Sequence, residues 1–392
     1  MSTLVPPSAR SRAAYGLTAA AAVGRFELQV CERCESLQYP PRESCVNCLS
    51  GELVWREHSG RGVLIAATAV HHSTDDYFRG RTPWNIGLVR LDGDITAIAH
   101  LHHACMESRD EVCVRAFLDR GGRGVLFAFP KDAASAAEGD PQVLEMTCTP
   151  YQKRVLVTDG SSEVGRALVE ALLTAGAALV WSGTPPSTNA QAAVDPRVVA
   201  LPFDITDPES IAAAARSIGA QVEIIVSNAE VHGTLAARDT GNLELAQAEL
   251  NTNYLGLLRL AAVFAPLLLA RADERVLRPT AWVNVLSIYA HSCLPSHSTF
   301  SASKSAALSL AQGLRSQLRA AGIRVLNVFP GPLDEAAFRD MAQPKLAPRA
   351  LARAIVEALE SGQEDCYPGD LAQDYLRRWR QDPKVLELEL QA

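Results

Sequence analysis

Basic residues are in short supply. Lys+Arg total 37 against 44 Asp+Glu, leaving the 392-residue chain with a formal charge of −7, which excludes a general nucleic-acid binder steered by a basic surface. Aromatic residues are scarce at 6%, and no aromatic-plus-basic stripe offers a stacking platform for single strands. Long apolar runs are also lacking. The most apolar stretch, residues 257–272, is interrupted by Arg259 and Pro266, and its longest uncharged run, residues 260–270, is too short to span a bilayer. Residues 10–24, with Arg10 and Arg12 before an Ala-rich run, read as a helix rather than an export signal. Ordinary apolar and charged contents, 48% and 21%, exclude wholesale disorder. The expectation is a soluble, cytoplasmic protein of two or three domains, with no membrane or nucleic-acid partner.

Cysteine is the exception to this scarcity. Of nine, four form two knuckles, Cys31-Glu-Arg-Cys34 and Cys45-Val-Asn-Cys48. Each knuckle turns two sulfurs towards one point, the arrangement for tetrahedral thiolate ligation of zinc. A pair of disulfides in a secreted module is the competing reading, and the missing export signal and five leftover cysteines count against it. Cys31, Cys34, Cys45 and Cys48 are therefore expected to hold one structural zinc. Cys105, Cys113, Cys148, Cys293 and Cys366 lack ligand spacing and read as free thiols.

The chain changes period near its middle. Residues 63–70, 86–91, 95–101 and 125–129 are short β-branched runs bounded by Gly, Pro or Asp, which predicts a small OB-like barrel. Residues 131–152 lack an apolar period and read as a linker. From Val155-Leu-Val157 onwards, strand signals (178–181, 198–202, 224–226, 283–286, 324–328) alternate with Ala/Leu-rich helices, predicting a doubly wound parallel sheet. The domain scheme is a helix and zinc ribbon (1–50), a barrel (51–130), a linker (131–152) and a Rossmann-type domain (153–392).

The order of an Ala-rich helix, Phe26–Cys31, Pro40-Pro-Arg42, the second knuckle, Trp55, Ser59-Gly-Arg-Gly62 and Pro83-Trp84 resembles the acyl-CoA-associated zinc-ribbon/OB family once called domain of unknown function 35. The resemblance covers residues 12–130. It implies a small partner, without an active site of its own, for a thiolase-like or aldolase enzyme working on CoA thioesters. Phe78-Arg-Gly-Arg81 would offer two cations to a CoA phosphate, or be a solvated loop. His71-His72 and His100, His102, His103 imitate ligand clusters, but strand alternation places neighbours on opposite faces and favours ordinary surface or core histidines.

From residue 153 to about 360 the chain resembles a short-chain dehydrogenase/reductase, through Thr158–Gly165, Asp204-Ile-Thr-Asp207, Ser227-Asn-Ala-Glu230, Asn253, Ser287, Phe300-Ser-Ala-Ser-Lys304 and Pro330-Gly-Pro332. The resemblance implies a pyrophosphate at the first helix N-terminus, with Gly165, Asp204 and Asn228 left from the cofactor set. Asp159 and Glu163 stand where glycines are expected, Glu230 replaces another, and Val180-Trp-Ser-Gly183 lacks a ribose-gripping carboxylate. These departures put NAD(P) binding in doubt. The family also needs a tyrosine as general acid/base, its pKa lowered by a lysine one turn on. Ser287, Asn253 and Lys304 are in place, but position 300 is Phe, which supplies neither donor nor base. Tyr289 is the nearest other phenol, without a lysine at the matching offset.

Two readings follow. One is a non-catalytic scaffold, whose ribbon and barrel dock an acyl-CoA enzyme while the reductase-like half pairs with itself or with an active relative. The other is a divergent NAD(P)-dependent 3-hydroxyacyl-CoA dehydrogenase. The helices around residues 243–270 and 299–320 would form the family's dimer contact, with Leu310, Leu314 and Leu318 facing the sheet.

Overall fold

A computed structural model describes residues 5–7, 11–106, 111–131, 139–185, 195–219, 221–233, 243–273, 280–335, 338–339 and 344–391. The chain divides into two compact units, with the main boundary between Cys148 and Thr149.

In the first unit, helix α1 (Tyr15–Ala22) precedes strands β1 (Glu27–Cys31), β2 (Leu37–Gln38) and β3 (Leu53–Glu57). These form an antiparallel three-stranded sheet of order β2-β1-β3, and the knuckles sit at its turns. Next come β4 (Arg61–Val70), helix α2 (Asp76–Arg79), β5 (Trp84–Leu91), β6 (Ile95–Leu101), β7 (Glu111–Leu118) and β8 (Gly124–Pro130). They close a five-stranded barrel, β4-β5-β6-β8-β7. Alternation along β6, buried at Ile95, Ala97, Ala99 and Leu101 and exposed at Thr96 and Ile98, sends one side-chain set inward, as period two requires. Leu64, Val89, Leu101, Val114 and Leu126 fill the interior with Leu17 of α1. The barrel is the expected OB-like one. The sequence reading missed β7, whose Glu111, Cys113 and Arg115 dilute its apolar signal.

The stretch expected as a linker contains helix α3 (Pro141–Met146). Asp140 caps it, its side chain accepting from the amides of Gln142 and Val143, with Pro141 opening the first turn, a combination pre-set for helix initiation. Val143 and Met146 pack against Trp84, Phe117, Phe127 and Phe129 of the barrel.

The second unit holds β9 (Arg154–Val157), α4 (Glu163–Thr174), β10 (Leu179–Thr184), β11 (Val198–Pro202), α5 (Pro208–Ile218), β12 (Ile224–Ser227), α6 (Leu243–Glu249), α7 (Leu257–Asp273), β13 (Ala281–Val285), α8 (Ser298–Arg319), β14 (Arg324–Val328), α9 (Pro348–Glu360), β15 (Asp365–Cys366), α10 (Gly369–Gln381) and α11 (Pro383–Glu389). The seven strands are parallel in the order β11-β10-β9-β12-β13-β14-β15, which places a switch point between β9 and β12 at the carboxyl ends where such sheets bind ligands. All central strands are buried, and Trp282 lies wholly inside. Leu314 and Leu318 are buried as expected, whereas Leu310 is only half-buried. The run Leu243–Ala272 is long and apolar enough to cross a membrane by length and composition. Its inner face, Leu257, Leu260, Phe264 and Leu268, is buried in the unit's own core.

Candidate functional site

The four knuckle cysteines converge. Cys31 Sγ lies 3.5 Å from Cys48 Sγ, and Cys34 Sγ 3.6 Å from Cys45 Sγ. Sulfurs about 2.3 Å from a common centre in a tetrahedron would be separated by about 3.8 Å, so the quartet is preformed for zinc. Ser36 Oγ stands 3.1 Å from Cys34 Sγ and 3.2 Å from Cys45 Sγ. This hydroxyl ties the two knuckles together at the sulfur cluster.

The two arginines proposed for a CoA phosphate differ in their surroundings. Arg79 pairs with Asp76 at 3.0 Å and donates to the Thr74 carbonyl at 2.8 Å. Arg81 stacks 3.9 Å over the Tyr77 ring and pairs with Glu145 at 3.1 Å; Glu145 also takes Arg120 at 3.2 Å and the Tyr77 hydroxyl at 2.8 Å. Burial and the Glu145 carboxylate push the Tyr77 phenol far above its ordinary range. Arg81 is thus a packed anchor for α3, whereas Arg79 stays exposed on the surface with Asp76.

His102 and His103 meet on one carboxylate instead of pointing to opposite faces. Strand β6 stops at Leu101 and a 3-10 turn begins at His103, so alternation no longer applies. Asp140 Oδ2 accepts from the His103 amide at 2.7 Å and lies 2.9 Å from His103 Nδ1 and 3.7 Å from His102 Nε2. The trio is close enough for a metal. However, His102 Nδ1 accepts from the Ala104 amide at 3.2 Å, which assigns the neutral ring's proton to Nε2. A metal on Nε2 would require that proton to move to Nδ1, where it would face the Ala104 amide donor and break that hydrogen bond.

In the second unit the turn after β9 is organised around the Asp159 carboxylate. Asp159 Oδ1 accepts from the Ser161 amide at 2.9 Å, its hydroxyl at 2.7 Å and the Ser162 amide at 3.2 Å. Ser162 caps α4, accepting from the Gly165 amide at 3.0 Å. The next donor, the Val164 amide, is taken by Glu335 Oε1 at 2.8 Å. That amide points where the family places a pyrophosphate. Burial, and then the carboxylates of Glu230, Glu163 and Asp159, push Glu335 above the ordinary carboxylate range.

Gly165 is explained without a cofactor: a Cβ there would lie 1.8 Å from the Asp159 carbonyl oxygen. Asp204 turns inward on its own loop, accepting from the Thr206 amide at 2.8 Å and hydroxyl at 2.7 Å. Asn228 bridges to the β9 turn, accepting from the Asp159 amide at 3.0 Å and donating to its carbonyl at 2.6 Å. All three candidate cofactor residues therefore stand in local fold roles.

The catalytic constellation is similarly occupied. Phe300 is buried, 1% exposed, with the His232 ring edge-on at 4.2 Å between centroids. His232 also stacks on Phe338 at 4.2 Å and on His297 at 5.0 Å. Lys304 Nζ is 5.5 Å from the Phe300 ring centre, donates to the Val285 carbonyl at 3.2 Å, and pairs with Glu230 at 2.5 Å. Asn253 holds the Val231 peptide, accepting from its amide at 3.0 Å and donating to its carbonyl at 2.8 Å, and donates to Ser303 Oγ at 2.9 Å. Ser287 Oγ accepts from the Tyr289 amide at 3.2 Å. Burial pushes the Tyr289 phenol up to about 12. At the position where the family places a diphosphate, the Val164 amide is already taken by Glu335, and Lys304 is paired with Glu230. Glu335, His232 and the fully buried Glu249, whose Oε1 accepts from the Gly233 amide at 3.0 Å, were not anticipated. Glu335 lies far along the chain from Val164 and belongs to no motif.

Comparison with known proteins agrees with the folds. The profile of the short chain dehydrogenase family matches residues 153–346; those of the ChsH2 rubredoxin-like zinc ribbon domain and the ChsH2 C-terminal OB-fold domain match residues 18–54 and 55–114. A short chain dehydrogenase from Burkholderia cenocepacia, solved in complex with NADP, superposes with a TM-score of 0.58 at 33% identity, covering 62% of this chain and 99% of that one. Ketoacyl reductase HetN of Nostoc is 27% identical over 53% of this chain and 76% of its own length. The 3-hydroxyacyl-CoA dehydrogenase type-2 of Drosophila melanogaster is 27% identical over 45% of this chain and 73% of its own. The carboxy-terminal half of the chain belongs to the short-chain dehydrogenase family, joined to an amino-terminal zinc ribbon and OB fold of the ChsH2 type.

Proposed function

We propose that the chain is a non-catalytic accessory subunit of acyl-CoA metabolism. Its zinc ribbon and barrel dock a thiolase-like or aldolase partner, and its dehydrogenase-like half serves as a pairing module without bound NAD(P). The observation that carries this is at position 300. A buried phenyl ring replaces the phenol that must move a proton, and the lysine that would tune such a phenol is neutralised by Glu230. Loss of a general acid/base costs about 10²–10⁴ in rate. Support for pairing comes from α7 and the π-helical segment Leu250–Gly256 that leads into it, where Leu250, Leu255 and Leu258 are exposed; clustered exposed apolar side chains are a feature of interaction faces. The partner is this chain again or an active relative of the same fold.

Affinity purification of the full chain from its native cell extract tests the docking. Recovery of an enzyme acting on CoA thioesters supports the proposal, and its absence ends it. The alternative, an NAD(P)-dependent 3-hydroxyacyl-CoA dehydrogenase, draws on the similarity to the 3-hydroxyacyl-CoA dehydrogenase of Drosophila and the ketoacyl reductase of Nostoc. Steady turnover of NAD(P)H with a 3-oxoacyl-CoA would establish it in place of the scaffold.

A further inference from the structure

The four N-terminal amides of a helix need acceptors from outside it. In α4 the third helical residue, Gly165, is capped from within by Ser162, but the second, Val164, is capped by Glu335 from the segment after β14. We propose that Glu335 is a built-in occupant of the α4 amide position, an internal carboxylate that fills the place where the family holds a diphosphate. The inference deepens the non-catalytic reading and rests on it for the absence of cofactor.

Three observations support it. A carboxylate on these amides meets the helix end with the charge sign that a bound anion would bring. The contact joins residues 171 positions apart in the chain, Glu335 Oε1 lying 2.8 Å from the Val164 amide, so the fold and not local sequence brings the carboxylate to the helix end. Lastly, a second carboxylate repeats the substitution nearby, Glu230 engaging Lys304 at 2.5 Å. Two internal carboxylates thus engage the helix amide and the cation in one site.

Hydrogen exchange resolved to the Val164 amide in the full chain tests the contact. Glu335→Ala should speed that amide by at least about ten-fold while the β9 and β12 amides stay slow. Glu335→Gln, which keeps an acceptor, should leave it within about two-fold of the parent. In thermal-shift titrations with inorganic pyrophosphate, the parent should not move and Glu335→Ala combined with Glu230→Gly should be stabilised. An unchanged Val164 rate in Glu335→Ala, or a parent stabilised by pyrophosphate as much as the double variant, would overturn the contact. Neither result touches the missing phenol, whereas turnover by the parent would defeat the non-catalytic reading itself.

Discussion

Restoring the missing hydroxyl by Phe300→Tyr should not restore an enzyme. The new oxygen enters a site where the parent ring is 1% exposed and a histidine ring lies 4.2 Å away. A buried hydroxyl without a partner costs about 1–3 kcal/mol. For a unit of this size each kcal/mol lowers the melting temperature by about 2–4 °C, so a visible drop is expected. The phenol would gain little acidity. A cation next to an acid favours its ionised form, but Lys304 already shares its charge with Glu230 at 2.5 Å, and burial works the other way, as it does at Tyr289. The factor of about 10²–10⁴ that a general acid/base brings should therefore stay absent in the single variant. The assay is NADPH oxidation with a short 3-oxoacyl-CoA, using the parent from a parallel preparation as the blank. Steady turnover by Phe300→Tyr well above that blank, at undiminished stability, would refute the reasoning that Glu230 silences the lysine.

Other expectations are more local. Metal analysis should find about one zinc per chain, and Cys34→Ser or a strong chelator should unfold the ribbon, because structural zinc supplies folding energy directly; a metal-free ribbon with unchanged melting would contradict this. Glu145→Ala leaves Arg81 and Arg120, with side chains 11% and 10% exposed, without their shared carboxylate. Breaking such a buried pair costs about 3–5 kcal/mol, readable by denaturant titration, whereas a change below about 0.5 kcal/mol would show the network to be idle. Burial raises the pKa of Glu249 above the ordinary carboxylate range, so the folded state holds its proton more tightly than the unfolded one. Its contribution is then most favourable below that range and is lost as pH rises through the folded value. Glu249→Gln should accordingly gain stability over the parent as pH rises, and a difference independent of pH would contradict the assignment.

Much of the architecture was legible because it is written in short-range chemistry. The knuckles announce four thiolates, and the strand signals at 198–202 and 324–328 fall on β11 and β14 residue for residue. What escaped depends on partners distant in sequence or on weak local signals. Strand β7 hides behind its charged residues, and β15 is two residues long. Helix α3 was passed over although Asp140-Pro141 is a start signal, because a short helix leaves too little apolar period to recognise. Arg81 looked available for a phosphate only because Glu145 reaches it through the fold. The same holds for the nucleotide turn: Asp159 and Glu163 were visible as intrusions, while Glu335, the residue that takes the Val164 amide, carries no sequence mark.

The most direct measurement is a fluorescence titration of the purified full chain with NADH and NADPH. If the chain's own carboxylates hold the diphosphate position and the lysine, neither nucleotide should give a saturable signal up to about 1 mM, a limit corresponding to about −4 kcal/mol of binding. Saturable micromolar binding of either nucleotide would contradict the account.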